Sequence, residues 1–202
     1  MSIVTLNDRA VRSVTAFGSL NTGSMVFISK QTASSSSTIS FTSGIDNTYK
    51  EYVFTFKDIH AETDGAIFQF QADTGTNTSY NQTITSTSFR VLHNEGGTTA
   101  LLQYRTDSDL AQGTGFQSIT GNAGVSVDND MCTVGKLHVF NPSSSTFVKH
   151  FISRTNTTTN DLFSFGSFTA GYFNTTTALT RFQFKFNTGN IDAGDICLYG
   201  IL

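Results

Sequence analysis

Apolar and polar residues alternate with period two along much of the chain. Tyr52, Phe54 and Phe56 share one face of Lys50-Glu51-Tyr52-Val53-Phe54-Thr55-Phe56-Lys57. Phe68 and Phe70 do so in Ala66-Ile67-Phe68-Gln69-Phe70-Gln71-Ala72, and Thr180-Arg181-Phe182-Gln183-Phe184-Lys185-Phe186-Asn187 alternates throughout. Successive side chains of a strand point to opposite faces, so each segment predicts one buried and one wet face. That is the pattern of antiparallel sheets with one side on a core. Further strands are expected at 25–31, 38–41, 83–92, 100–105, 116–120, 137–140, 147–154, 163–173 and 196–201. Turn residues separate them, as in Asp73-Thr74-Gly75, Asn94-Glu95-Gly96-Gly97 and Asn187-Thr188-Gly189-Asn190. About twelve short strands at this spacing predict an all-β, antiparallel β-sandwich or jelly-roll-like domain. The spacing is too tight for βαβ crossovers. The best helical candidate, 107–112, is a single turn. Phe is expected on inner faces, with Thr, Ser, Gln and Asn on outer faces and loops.

The first 23 residues lack this period. Ile3, Val4, Leu6, Ala10, Val11, Val14 and Phe17 are apolar, and Asp8, Arg9 and Arg12 concentrate charge in a charge-poor chain. Two readings stand: an N-terminal strand that joins the sandwich, or an arm that docks on a neighbour. The second is preferred, because apolar side chains without a period of their own must be buried against something. The chain therefore divides into an attachment arm, 1–23, and a β-sandwich domain, 24–202, joined through Asn21-Thr22-Gly23. The attachment residues are Ile3, Val4, Leu6, Asp8, Arg9, Val11, Arg12, Val14 and Phe17.

Composition narrows the classes. The 202 residues include 32 Thr, 23 Ser, 19 Phe and no Trp, and 13% are charged against about 25% in an average domain. Phe and β-branched residues supply core material, which excludes disorder and long helices. A net charge of −3 with 12 Lys and Arg argues against nucleic acid as the partner. No apolar run approaches the ~20 residues that span a bilayer, and the N-terminus carries no secretion-signal pattern. Synthesis in a cytoplasm, with Cys132 and Cys197 as reduced packing thiols, is the expectation; a disulfide is the lesser alternative.

Candidate chemistry is sparse. His138 and His150 fall on adjacent expected strands, but no third ligand accompanies them. The pairs Asp107/Asp109, Asp128/Asp130 and Asp192/Asp195 lie in turn-rich segments, where Asp caps turns more often than it binds calcium. No nucleophile elbow, zinc helix or phosphate loop is present. The chain is read as non-enzymatic, with no catalytic residue, metal or cofactor. Two polar loops, 73–81 and 155–160, are candidate glycan contacts through Asp73, Asn77, Tyr80, Asn81, Asn156 and Asn160; ordinary loop material is the plainer reading.

Several motifs, taken together, resemble virion proteins of tailed, marine-type bacteriophages. Ile45-Asp46-Asn47-Thr48-Tyr49-Lys50-Glu51-Tyr52 is similar to their I-x-x-T-Y-x-x-Y opening. Phe70-Gln71-Ala72-Asp73-Thr74-Gly75-Thr76-Asn77, followed by Tyr80, resembles their F-N-G-D-T-G-x-N-Y hairpin, with Ala72 for Gly and extra residues before Tyr80. Ile191-Asp192-Ala193-Gly194-Asp195-Ile196-Cys197-Leu198-Tyr199-Gly200-Ile201 is similar to their I-x-x-G-x-I-x-L-Y-G-I terminus. Leu6-Asn7-Asp8-Arg9-Ala10-Val11 looks like the head of such proteins. The resemblance, from residue 3 to 202, implies a non-enzymatic β-sandwich on a virion. With the arm as anchor, the preferred reading is a capsid decoration or cement protein held to the major capsid protein or another virion protein, and a homo-oligomer (dimer or trimer) by general symmetry preferences. The alternative it leaves is a tail fibre or receptor-binding module for a host glycan.

Overall fold

The computed structural model describes residues 24–159 and 161–202, and over them the chain forms twelve strands and no helix. These are β1 (Met25–Ser36), β2 (Ile39–Phe41), β3 (Glu51–Ala61), β4 (Phe68–Thr74), β5 (Ile84–Asn94), β6 (Ala100–Tyr104), β7 (Gln117–Ser118), β8 (Thr133–Phe140), β9 (Lys149–Thr158), β10 (Phe163–Phe173), β11 (Leu179–Phe186) and β12 (Ile191–Ile201). Each expected strand is present. Residues 107–112 are a turn followed by irregular chain, not a helical turn, because Leu110 donates its N–H to the Ser86 hydroxyl instead.

Two antiparallel sheets pack face to face. The larger runs β1-β12-β3-β8-β9-β10-β5-β6 and the smaller β2-β11-β4-β7. Eight of the strands form opposed four-stranded layers, β1-β12-β3-β8 and β2-β11-β4-β7. Their chain order is that of a jelly roll, two Greek keys folded on each other. The remaining four are two hairpins. β5–β6 is inserted between β4 and β7, and β9–β10 between β8 and β11. Both add to the same edge, beyond β8, and widen one sheet to eight strands.

The core between the layers is phenylalanine. Phe54 of β3 meets Phe182 and Phe184 of β11 at ring separations of 5.2 and 5.0 Å. Phe56 meets Phe68 at 5.3 Å, and Phe70 meets Phe151 at 5.1 Å. Most of these pairs are tilted or edge-on, the arrangement that ring quadrupoles favour. Burying each ring contributes roughly 2–3 kcal/mol. One glycine is required by a close approach: a Cβ on Gly171 would lie 2.5 Å from the Thr85 carbonyl oxygen and 2.8 Å from the Phe151 ring.

Over the added hairpins the expected polarity is inverted. Their inner face carries buried hydroxyls, among them Ser86, Ser88, Ser153, Thr155, Ser167 and Thr169. Residues 105–125 lie across it. Ser86 donates to Gln117 Oε1 (2.6 Å), Thr155 to the Ile119 carbonyl (2.6 Å) and Ser167 to the Thr120 carbonyl (2.7 Å). The outer face of the same strands exposes Phe89, Val91, Leu102, Tyr104 and Ile152. Thr and Ser are therefore inside here because the covering chain offers them acceptors, the Gln117 amide oxygen and the Ile119 and Thr120 carbonyls. The rule of Phe within and hydroxyls without holds for the jelly roll, whereas the added strands bury Phe151, Phe165 and Phe173 beside these hydroxyls.

Candidate functional site

Residues 73–81 do not form a free polar tip. Asp73 is 1% exposed and Tyr80 5%. Asp73 accepts hydrogen bonds from the N–H of Thr74 (2.8 Å), the N–H of Tyr80 (2.8 Å) and Gln82 Nε2 (3.1 Å). Gln71, buried on the same strand, donates to the carbonyls of Gln82 (3.0 Å) and Gly115 (2.9 Å). These two side chains point away from the core and fasten the loop down over the outside of β4. Asp73 and Tyr80 are thereby corrected as candidate glycan contacts, since neither presents a free surface. Asn77 and Asn81 remain exposed.

Residues 155–158 belong to β9 rather than to a loop, with Thr155 and Thr157 turned inward. Asn156 projects from the outer face and donates to Ser164 Oγ (2.9 Å) and the Phe165 carbonyl (3.2 Å). It is carried by the large sheet, whereas Asn77 and Asn81 follow β4 of the small one, so the structure does not assemble the candidates into one site. Asn160 lies outside the described residues. So do all the attachment residues, from Ile3 to Phe17.

The motifs behind the phage resemblance act in packing. Ile45 is buried, and Tyr52 exchanges hydrogen bonds with the Asp46 backbone, both at 3.0 Å. The Tyr49 ring covers Gly200 so closely that a Cβ there would lie 2.2 Å from it. Ile191, Ile196 and Leu198 enter the core, and Tyr199 meets Phe27 edge-on at 5.7 Å. The I-x-x-T-Y and L-Y-G-I segments therefore meet in space.

Titratable side chains are mostly committed to local partners. His138 Nδ1 bonds Glu51 (2.5 Å), and His150 packs on Tyr172 (5.8 Å). His60 bonds Asp192 (3.2 Å), and Asp195 accepts from Lys30 (3.0 Å) and Thr32 (2.5 Å). Arg105 pairs with Asp107, and Tyr104 donates to Asp109 (2.6 Å). Among the described residues no group of three or more His, Cys, Asp or Glu is placed to hold a metal. Both cysteines are free thiols, and burial, with Asp58 nearby, raises the Cys132 pKa.

One buried cation was not legible in the sequence. Lys149 faces inward at the start of β9 and donates to the carbonyls of Phe147 (3.0 Å) and Thr175 (3.1 Å). Loss of water lowers its pKa. It ties two turns at one end of the sandwich, and only its inward phase, in one row with Phe151 and Ser153, marks it in the sequence.

One candidate site lies on the outer face of the large sheet, across β8 and the added strands. A hollow of about 640 Å³ is lined by Val91, Val134, Lys136, Arg154, Asn156 and Phe168. Lys136 and Arg154 are direct cross-strand neighbours, and Arg154 lies over the Phe168 ring at 5.0 Å. Phe168 stacks on Phe89 at 4.9 Å and an interplanar angle of 8°. Comparison of the chain with protein-family models, with curated proteins and with solved structures returned no match.

Proposed function

We propose that the chain is a non-enzymatic structural protein of a tailed-phage virion, a capsid decoration or cement protein. Residues 1–23 anchor it to the major capsid protein or another virion protein, and the sandwich faces outward. The observation that carries this reading is the jelly-roll connectivity of the eight-strand core, an architecture that recurs in viral capsid and lectin domains. Fold alone does not assign function, and the motif resemblance supplies the remaining weight. Such a protein stabilises a shell by mass action: it binds the assembled state and not the free subunits.

The test is co-sedimentation with virions made from the genome that encodes this chain and stripped of it. Full-length protein should rebind to saturation, and a 24–202 truncation should stay in the supernatant while keeping its thermal unfolding. Full occupancy by the truncation would contradict the arm.

A second reading, a tail-fibre or receptor-binding module for a host glycan, is favoured by the hollow that sets Arg154, Lys136 and Asn156 beside the Phe168 ring. On a glycan array it predicts reproducible binding that weakens in Arg154→Ala. The decoration reading predicts none.

A further inference from the structure

The outer face of the added hairpins, with the neighbouring β8, carries a cluster of exposed apolar side chains. Leu102 is 71% exposed, Tyr104 55% and Ile152 50%, with Phe89, Val91 and Val134 beside them. These residues stand on β5, β6, β8 and β9, four of five consecutive strands; β10, between them, adds Phe168. Clusters of exposed apolar residues of this kind mark interaction surfaces. The inner face of the same strands is hydroxyl-rich, so burial within the subunit does not account for the apolar residues outside.

One row across this face has an order that suits a single occupant. Lys136 of β8 pairs with Arg154 of β9, Arg154 with Phe168 of β10, Phe168 with Phe89 of β5, and Phe89 with Tyr104 of β6. The row is basic at one end, and no carboxylate pairs with Lys136 or Arg154 among the described residues. Like charges directly opposed on neighbouring strands repel. The far end is Tyr104 with Asp109 bound to its hydroxyl. The middle is the stacked Phe168–Phe89 pair.

We infer that this face is the contact between two copies of the chain, related by a two-fold axis that lies in the face near Phe168 and runs along the strands. That operation reverses the row. Lys136 then meets Tyr104 and Asp109 of the second copy, Arg154 meets the Phe89 ring, and the Phe168 rings meet near the axis. The adjoining row follows the same rule. Val134, Asn156, Gly166, Val91 and Leu102 are in register, so Val134 is set against Leu102 of the second copy. Gly166 and Ala170 flank Phe168 along β10 and leave it room on either side. An isologous contact must be self-complementary, and this row is so in both charge and apolarity. Five strands at ~4.8 Å and eight residues of β9 at ~3.4 Å span about 24 by 27 Å, the scale of one side of a standard interface.

The inference does not depend on a virion role, and its test is separate from particle binding. The full-length chain is measured by sedimentation equilibrium, with thermal unfolding of each variant as the folding control. Wild type should form a dimer. Leu102→Asp, which removes only an exposed contact, should be monomeric with unchanged unfolding. Lys136→Glu and Asp109→Lys should each raise the dimer dissociation constant about tenfold or more, by setting like charges together. An equimolar mixture of these two should restore dimers, because both charge contacts are then opposite. A monomeric wild type, an oligomer indifferent to Leu102→Asp, or a mixture no tighter than its components would overturn the inference. A monomer that instead binds a carboxylated sugar at Arg154 would assign the face to a glycan.

Discussion

At the scale of single residues, polar side chains facing away from the core do structural work. Asp73 is the clearest case: removing its carboxylate leaves the Tyr80 N–H and Gln82 amide without an acceptor in a buried setting. Asp73→Ala should cost about 2–3 kcal/mol in urea denaturation. Asn77→Ala, on the exposed part of the same loop, should cost less than about 0.5 kcal/mol. Asp46 offers a test in acid. Hydrogen bonds from Thr48 and Tyr52 hold its carboxyl below the usual value of 3.8. A depressed carboxyl contributes stability that is present above its unfolded pKa and lost as pH falls through the folded one. Melting temperature should therefore drop between about pH 4 and pH 2, and Asp46→Asn should flatten that drop. Lys149 works in the opposite sense. Its lowered pKa favours the neutral amine in the fold, so its charge penalises folding at neutral pH and is relieved as pH rises toward 10.5.

Elements were legible from periodicity because the Phe residues of β3, β4 and β11 recur at every second position and have only one sheet to face. Periodicity does not fix which face is inside. On β5, Ile84 and Leu92 point inward while Phe89 and Val91 point outward, so counting apolar residues balances and the hydroxyls of Ser86 and Ser88 decide nothing. The decision is made by residues 105–125, where Gln117 Oε1 accepts from Ser86 and the Ile119 and Thr120 carbonyls accept from Thr155 and Ser167, a long-range fact invisible in a local window. Boundaries moved for a related reason. The last strand begins at Ile191 rather than 196, because register shifts at Ala193 carry pairing past Gly194, whose φ of +121° suits only glycine. The loop at 73–81 looked solvent-facing because its residues are polar; its burial comes from Gln71 and Asp73, which an alternating reading places on a wet face. At this scale both the added strands and the jelly-roll core should be sensitive to volume. Gly171→Ala should destabilise by about 1–3 kcal/mol through overpacking against the Thr85 carbonyl, and Phe54→Ala by about 3–5 kcal/mol through a core cavity, both read by chemical denaturation.

For the whole molecule, the jelly roll supplies a closed phenylalanine core and the two hairpins supply a broad sheet face. The division of labour follows from where each apolar surface is satisfied. The core satisfies its own; in the proposed assembly the outer face of β5, β6, β8, β9 and β10 would be matched to a second copy and the apolar residues of 1–23 to the shell. In that proposal a pairing of sandwiches and an anchoring arm would act together, since two linked copies on one particle raise the effective concentration of each arm. Weakening the pairing with Leu102→Asp should therefore lower particle affinity without abolishing it, whereas removing residues 1–23 should abolish it; both are read by co-sedimentation. The measurement that bears most directly on the decoration role is a cryo-electron microscopy reconstruction of virions carrying this chain. The account predicts sandwich density standing on the outer capsid surface at the joints between capsomers, tethered by a segment that enters the shell. Density for the chain confined to the tail, with a bare capsid, would contradict it.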